Sequence, residues 1–182
     1  PKTVRRQRQM CIRDSQAHFF NAGARVKRFT PAGPDHAQVA AAAGMADYVD
    51  ALYAHHVGGD ADPAARARVV TAMKRSHEDG RLEPLLDFLG NRNDVRILGS
   101  GSLGTETGRV PTVALHTARP AAEVADALAG HGVMAGAGDF YAVRTIGAMG
   151  CDADEGVLRL SFVHYTTDGE VQQLMKGLDA CL

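Results

Sequence analysis

The stretch GVLRLSFVHYTTDGEVQQLMKGL, residues 156–178, joins a strand pattern to a helix pattern and decides most of the fold. Alternating apolar residues predict a strand over 157–164, and the spacing after it predicts a helix from about Asp168. One face of this strand is the predicted core face and carries Leu158, Leu160, Phe162 and His164. The opposite face is apolar at its start and polar at its end, which is typical of a strand that leads from a core into a cleft.

A single charge, Arg159, interrupts the apolar run on that second face, between Val157 and Ser161. A buried guanidinium without a partner costs several kcal/mol. The residues leave two interpretations open: Arg159 pairs with a carboxylate of this chain, or it binds an anionic ligand. Internal ion pairs are the more common solution for a buried charge, so the pattern alone favours the first interpretation.

The length, composition and charge of the chain restrict the class of protein. The chain has 182 residues, 45% of them hydrophobic, and a net charge of −1. These values predict one globular domain, with no overall field that would recruit nucleic acid or a membrane, so neither is expected as a partner. Three scattered cysteines, Cys11, Cys151 and Cys181, fit neither a disulfide framework nor a zinc site and suggest a reducing compartment.

The first fifteen residues, PKTVRRQRQMCIRDS, differ from the rest by their dense positive charge and lack of periodicity. They could be a basic arm for nucleic acid or an Arg-rich transit peptide. The interpretation that we favour is different, because QMCIRDS resembles translated read-through of sequencing-library adapters. We therefore expect residues 1–15 to be non-native or disordered, the native sequence to start near Gln16, and residues 16–182 to form the domain.

Helix and strand patterns interleave along the remaining chain. Helices are predicted over 35–58, from Pro63 through Leu89 with a kink or break at Gly80 and Pro84, from Pro120, over 140–149 and from Asp168. Strands are predicted over 94–99, 110–117, 132–138 and 157–164. The first two strands are joined by a loop alone. The order predicts an α+β fold: a small mixed or mostly antiparallel sheet with helices packed on one face, preceded by long helices.

Several local patterns resemble catalytic or binding motifs but lack the residues that such motifs need. GSGSLG (99–104) lacks the Lys-Ser/Thr of a phosphate loop and is predicted to be a surface loop. The histidines are separated or adjacent in ways that do not suit one metal ion, so no metal site is expected. No Gly-x-Ser-x-Gly elbow is present. The neighbours Asp152 and Asp154 disfavour a thiolate at Cys151, which argues against an activated nucleophile.

With these segments placed, residues 16–182 resemble the C-terminal part of a class V aminotransferase, a pyridoxal-phosphate enzyme of fold type I, in the cysteine desulfurase-like branch. The resemblance rests on RFTPAGPDHAQVAAAAGMADYV (28–49), RVPTVALHT (109–117), GVMAGAGDFYA (132–142) and GVLRLSFVHYTTDGEVQQL (156–174), in family order. It implies a C-terminal small domain with connecting helices, from a cytoplasmic homodimer that acts on an amino acid.

The resemblance also implies roles for residues. Arg159 would bind the substrate α-carboxylate, which raises the ligand interpretation above the ion pair. In this chain we therefore expect Arg159 to lie toward an open cleft near the end of its strand, in contact with water and without a two-pronged Asp or Glu partner. Ala32 and Gly33 align with a loop that reaches the pyridoxal-phosphate phosphate of the other subunit, although Gly33 replaces the family threonine. Tyr141 stands where a desulfurase carries its persulfide cysteine, so desulfuration by that route is not expected. Transamination, racemisation and lyase chemistry remain open.

The resemblance implies that the family's Schiff-base lysine and the large domain lie upstream of the residues that match. The resemblance therefore implies no catalytic residue and an inactive fragment. An alternative of a different class also stays open: a free-standing, non-catalytic α+β domain that binds a carboxylate through Arg159.

Overall fold

The structure is a computed structural model and describes residues 36–103 and 109–182. Within these ranges the helices are α1 (His36–His56), α2 (Pro63–Gly90), α3 (Ala121–Gly130), α4 (Val143–Ala148) and α5 (Asp168–Cys181). The strands are β1 (Val95–Leu98), β2 (Thr112–Thr117), β3 (Gly136–Gly138) and β4 (Val157–Ser161). None of these helices is both long and apolar enough to cross a bilayer.

The chain divides into two compact units, Pro1–Ala67 and Arg68–Leu182. In the first unit, Asp62 starts α2 as predicted, since its Oδ1 accepts a hydrogen bond from Ala65 N at 3.0 Å. Arg66 reaches Asp50 of α1 through a two-pronged pair, Nε to Oδ1 at 2.7 Å and Nη2 to Oδ2 at 3.0 Å. This pair links the end of α1 to the start of α2.

The second unit contains a four-stranded sheet in the order β1-β2-β4-β3, and every neighbouring pair is antiparallel. The α+β class predicted from the sequence is therefore confirmed, with an antiparallel rather than a mixed sheet. In the register, Arg159 of β4 lies opposite Ala114 of β2 on one side and Gly136 of β3 on the other. Both cross-strand neighbours of the arginine are thus small.

The main core lies between one face of this sheet and the helices. As the alternation predicted, Leu158, Leu160 and Phe162 are buried on that face, at 0%, 4% and 9% exposure. The end of α2 and one stripe each of α3 and α5 complete the same cluster, which includes Leu82, Leu85, Leu86, Leu89, Val124, Leu128, Val171, Leu174 and Leu178. Burial of these side chains is the main force that holds the second unit together.

A smaller cluster lies on the opposite face of the sheet. Ile146 of α4, Cys151 and Val157 are buried there, and Ala114 and Phe140 pack against them. Helix α4 therefore covers the first part of β4 on its second face. Beyond Val157, that face becomes exposed at Arg159 and Ser161.

Several elements differ from the sequence predictions: β4 ends at Ser161 rather than at 164, and α4 spans Val143–Ala148 rather than 140–149. No break occurs at Gly80 and Pro84, since α2 is helical from Pro63 to Gly90 and Leu82 and Leu85 are buried on either side of the proline. The strand predicted over 132–138 shortens to Gly136–Gly138. Its first residues bond back to the end of α3, because Gly132 N donates to Ala129 O and Val133 N to Leu128 O.

Candidate functional site

Arg159 lies in the middle of β4, and its side chain is exposed. This exposure agrees with the expectation that Arg159 faces an open cleft in this chain, although it lies in mid-strand rather than near the strand end. The physical reason is local: none of the described helices covers the second face at this point, and the side chains across from it on the neighbouring strands are only Ala114 and Gly136. The charge stays in contact with water and avoids the desolvation cost.

The exposed guanidinium nevertheless contacts an aromatic ring. Its Cζ lies 3.9 Å from the centroid of the Phe140 ring. This distance is too short for an edge contact, so the guanidinium covers the ring face. A cation over an aromatic face at an exposed site is stabilised by about 0.5–1 kcal/mol. Among the described residues, no Asp or Glu forms an ion pair with Arg159.

Gly136 provides the space for this contact. A Cβ atom at Gly136 would lie 3.1 Å from Phe140 Cζ and 3.8 Å from Arg159 Nε. Because Gly136 is the direct cross-strand neighbour of Arg159, its missing side chain leaves a gap beside the arginine. The ring of Phe140 fills that gap. The slot beside Arg159 is thus formed by Gly136 of β3 and filled by a residue of the following turn.

The turn that carries Phe140 is strained. Phe140 and Tyr141 have φ values of 49° and 59°, and they are the non-glycine residues with positive φ in the described ranges. Such a backbone costs about 1–2 kcal/mol per residue. Asp139 stabilises the turn, since its Oδ1 accepts from Tyr141 N at 2.8 Å and its carbonyl accepts from Ala142 N at 2.8 Å. Strain of this kind concentrates at functional sites.

Tyr141 precedes Arg159 in the sequence, and the polar end of β4 follows it. The phenol of Tyr141, at the position where the resemblance places a persulfide cysteine, is fully exposed. Ser161 pairs across the sheet with Thr112, with 3.2 Å between the two hydroxyl oxygens. Tyr165 lies in the turn after β4 and is also exposed. The second face thus turns polar after Val157, as the pattern predicted.

A second arginine, Arg109, was not singled out from the sequence. Its Nη1 donates to Ser100 O and its Nη2 to Thr112 O at 3.4 Å, while its buried Nε has no partner among the described residues. Burial lowers the pKa of Arg109 below its usual value. It lines an open cavity of about 500 Å³ with Lys74 and Arg75. The preceding residues 104–108 lie outside the described ranges.

The other residues named from the sequence do not gather at Arg159. Ala32 and Gly33 lie outside the described ranges. Cys151 is buried, and its nearest charged group is Arg96, whose Nη2 lies 3.1 Å from the sulfur, rather than an acid. In the part of the chain that the structure describes, no three His, Cys, Asp or Glu residues are placed to hold a metal ion.

The comparisons with known proteins indicate an aminotransferase-like chain over part of its length. The relative is the aminotransferase-like protein FGM3 of Gibberella zeae, which is 29% identical over 110 residues, 58% of this chain and 27% of the relative. The cysteine desulfurase CsdA of Escherichia coli is a similar solved structure, with a TM-score of 0.48 and 20% identity over 69% of this chain and 32% of that one. No family model matches. The chain therefore spans about a quarter of the curated relative's length.

Proposed function

We propose that this chain is part of a pyridoxal-phosphate enzyme that acts on an amino acid, and that Arg159 binds the carboxylate of that amino acid. The observation that carries the proposal is the exposed guanidinium of Arg159, which lies in mid-strand and has no carboxylate partner among the described residues. The partial likeness to an aminotransferase-like protein supports the class of enzyme.

The geometry of the guanidinium suits a carboxylate. A guanidinium presents paired N–H donors in one plane, and a carboxylate accepts them in a two-pronged fork. The stacked ring occupies a face of the guanidinium and leaves the in-plane donors available. Arg159 can therefore fix both the position and the orientation of an amino acid whose carboxylate it binds.

Pyridoxal phosphate would supply an electron sink for the bonds at the amino acid α-carbon. The residues that we expect to reach its phosphate, Ala32 and Gly33, lie outside the described ranges, so the described residues give no test of whether the cofactor fits. What this chain contributes in the proposal is recognition of the substrate. Homodimer formation around the cofactor belongs to the same proposal.

Carboxylate binding can be tested on the chain itself. We expect L-alanine to shift the Nε–H resonance of Arg159 in an NMR titration. Arg159→Lys keeps the charge and loses the fork, so it should weaken binding by about 1.5–3 kcal/mol, the range for hydrogen bonds to a charged group. Arg119→Lys is the matched control, because Arg119 is half exposed and already paired with Glu123. Equal affinity of the Arg159→Lys chain and the unchanged chain would contradict the proposal.

The enzyme class needs a separate experiment on the whole reading frame to which these residues belong. We expect that protein to bind pyridoxal phosphate, seen as visible absorbance of the cofactor. Arg159→Lys should raise the KM for amino acids and leave cofactor binding unchanged. A protein that binds the carboxylate through Arg159 without binding the cofactor would instead be the non-catalytic carboxylate-binding domain.

A further inference from the structure

We propose that Phe140 is a positioning residue for Arg159, and that its ring sets the plane in which the guanidinium offers its donors to a carboxylate. The identity of the ligand rests on the proposed function above. The positioning itself rests on contacts of this chain alone. It concerns the residues of one slot: Gly136 of β3, Phe140 of the following turn and Arg159 of β4.

The first step of the argument is the direction of the donors. All N–H groups of a guanidinium lie in its plane. With Cζ 3.9 Å from the ring centroid, a face of the guanidinium is against Phe140, so the ring consumes none of those donors. An exposed arginine without such a platform samples many rotamers, and ordering them on binding weakens affinity. The stacked ring removes part of that ordering before the ligand arrives.

The second step is that two further features also place the ring of Phe140 beside Arg159. Gly136 stands opposite Arg159, and a Cβ there would press on the ring of Phe140 at 3.1 Å. The turn holds Phe140 at a positive φ, a conformation that the Asp139 hydrogen bonds stabilise. Phe140 also packs against the small apolar cluster of Ile146, Cys151 and Val157, so the turn places the ring between that cluster and the guanidinium of Arg159.

The contact can be measured without any ligand. Ring current from Phe140 should shift the Hδ and Hε protons of Arg159 upfield, and the Nε–H bond should be more ordered than in other exposed arginines. Phe140→Leu should abolish the shift and lower the order, whereas Phe140→Tyr should preserve both. The matched control is Phe88→Leu, which removes the ring 5.3 Å from Arg92 Cζ and should leave the Arg159 signals unchanged.

The functional consequence is measured by titration with L-alanine. We expect Phe140→Leu to weaken binding about two- to fivefold, the equivalent of an exposed cation–π contact, and Phe140→Tyr to bind like the unchanged chain. Urea unfolding of each variant shows whether the fold is intact. If Phe140→Leu unfolds, the comparison rests on Gly136→Ala, which pushes on the ring and should change the same Arg159 signals.

The outcomes separate this inference from the proposed function. Unchanged ring-current shift, order and affinity in Phe140→Leu would overturn the positioning role. If the shift and order are lost as expected but Arg159→Lys binds L-alanine normally, the positioning role stands and the proposed ligand is wrong. If the shift and order change, and Arg159→Lys weakens binding of L-alanine but Phe140→Leu does not, Phe140 orders Arg159 without serving binding, and the inference is overturned.

Discussion

At the scale of single residues, the close approach of β3 and β4 depends on glycine. Gly156 has a φ of 69°, and a Cβ there would lie 2.7 Å from Gly138 Cα, which is closer than two such atoms can approach. Gly150 has a similar φ of 73°, but nothing lies within 4 Å of the position of its missing Cβ. Alanine substitutions at Gly156 and Gly150 therefore separate the free-energy cost of a positive φ from the cost of a steric clash.

We predict that Gly156→Ala destabilises the chain by about 3 kcal/mol, because a strained φ and a backbone clash act together. Gly150→Ala should cost about 1 kcal/mol from the φ value alone. Urea unfolding followed by circular dichroism gives both values. Equal losses in the two variants would show that β3 moves away from residue 156 at little cost.

At the scale of elements, α5 begins with a complete capping box. Thr167 Oγ1 accepts from Glu170 N at 3.3 Å, and the Glu170 carboxylate accepts from Thr167 N at 2.7 Å. The bonds from the Thr167 backbone and hydroxyl lower the pKa of Glu170 below its ordinary value of 4.5. These bonds satisfy N–H groups that the first turn of a helix leaves open. The sequence TTDGEV therefore determines where α5 starts.

We predict that Thr167→Ala lowers stability by about 1 kcal/mol at neutral pH. Glu170→Gln should also destabilise, and its effect should depend on pH. Because folding lowers the pKa of Glu170, its carboxylate stabilises the fold above pH 4.5, and this contribution is lost as the pH falls through the lower folded value. The difference between Glu170→Gln and the unchanged chain, measured by urea unfolding at several pH values, should shrink in acid.

The control for the pH dependence is Glu83→Gln. Glu83 is exposed on α2 and lies far from the first turn of that helix. Its substitution should therefore give a stability difference that is small at every pH. A Glu170→Gln effect that stays constant down to strong acid would argue against the carboxylate as the capping group.

Helix α2 continues through Pro84, which removes one hydrogen bond from the interior of the helix. A proline inside a helix removes one hydrogen bond and costs about 3 kcal/mol, partly offset by the reduced freedom of the unfolded chain. The exposed side of α2 carries Pro84, while Leu82, Leu85 and Leu86 on the other side are buried. Burial of these leucines holds the helix together across the defect.

We predict that Pro84→Ala stabilises the chain by about 2 kcal/mol. Gly80→Ala, at an open helical position with nothing within 4 Å of the missing Cβ, should stabilise by about 1 kcal/mol. Thermal unfolding measures both. A Pro84→Ala variant that is less stable than the unchanged chain would show that the proline makes a contact that the helix needs.

At the scale of the whole molecule, the two units are stabilised differently. The second unit has a continuous apolar core to which α2, the sheet, α3 and α5 all contribute. In the first unit, the contacts between α1 and the start of α2 include the two-pronged pair of Asp50 and Arg66, and Tyr53 is buried. A partly exposed ion pair contributes less than a buried apolar cluster.

We predict that Leu85→Ala, at a fully buried position, costs about 2–5 kcal/mol and lowers the amide-exchange protection of β2 and β4. Asp50→Ala should change stability by less than about 1 kcal/mol and leave the protection of those strands unchanged. Loss of protection in β2 and β4 on substitution of Asp50 would show that the first unit supports the sheet.

Much of the fold could be predicted because its signals are local. The alternation around Leu158 and Leu160, the Asp62-Pro63 start of α2 and the Thr167 cap each lie within a few residues of the structure they determine. The predictions failed where residues that are distant in the sequence determine the local structure. Leucines that pack against the sheet keep α2 continuous at Pro84, and bonds to the end of α3 shorten β3.

The sequence by itself determined the α+β class, the core face of β4 and the position of Arg159 on the opposite face. It did not determine that the Arg159 side chain stacks on Phe140. That contact requires Gly136, Phe140 and Arg159 to meet through the antiparallel pairing of β3 with β4. Periodicity describes which way a side chain points along its own element, whereas the partner that it meets depends on register and turn geometry, which only the tertiary structure supplies.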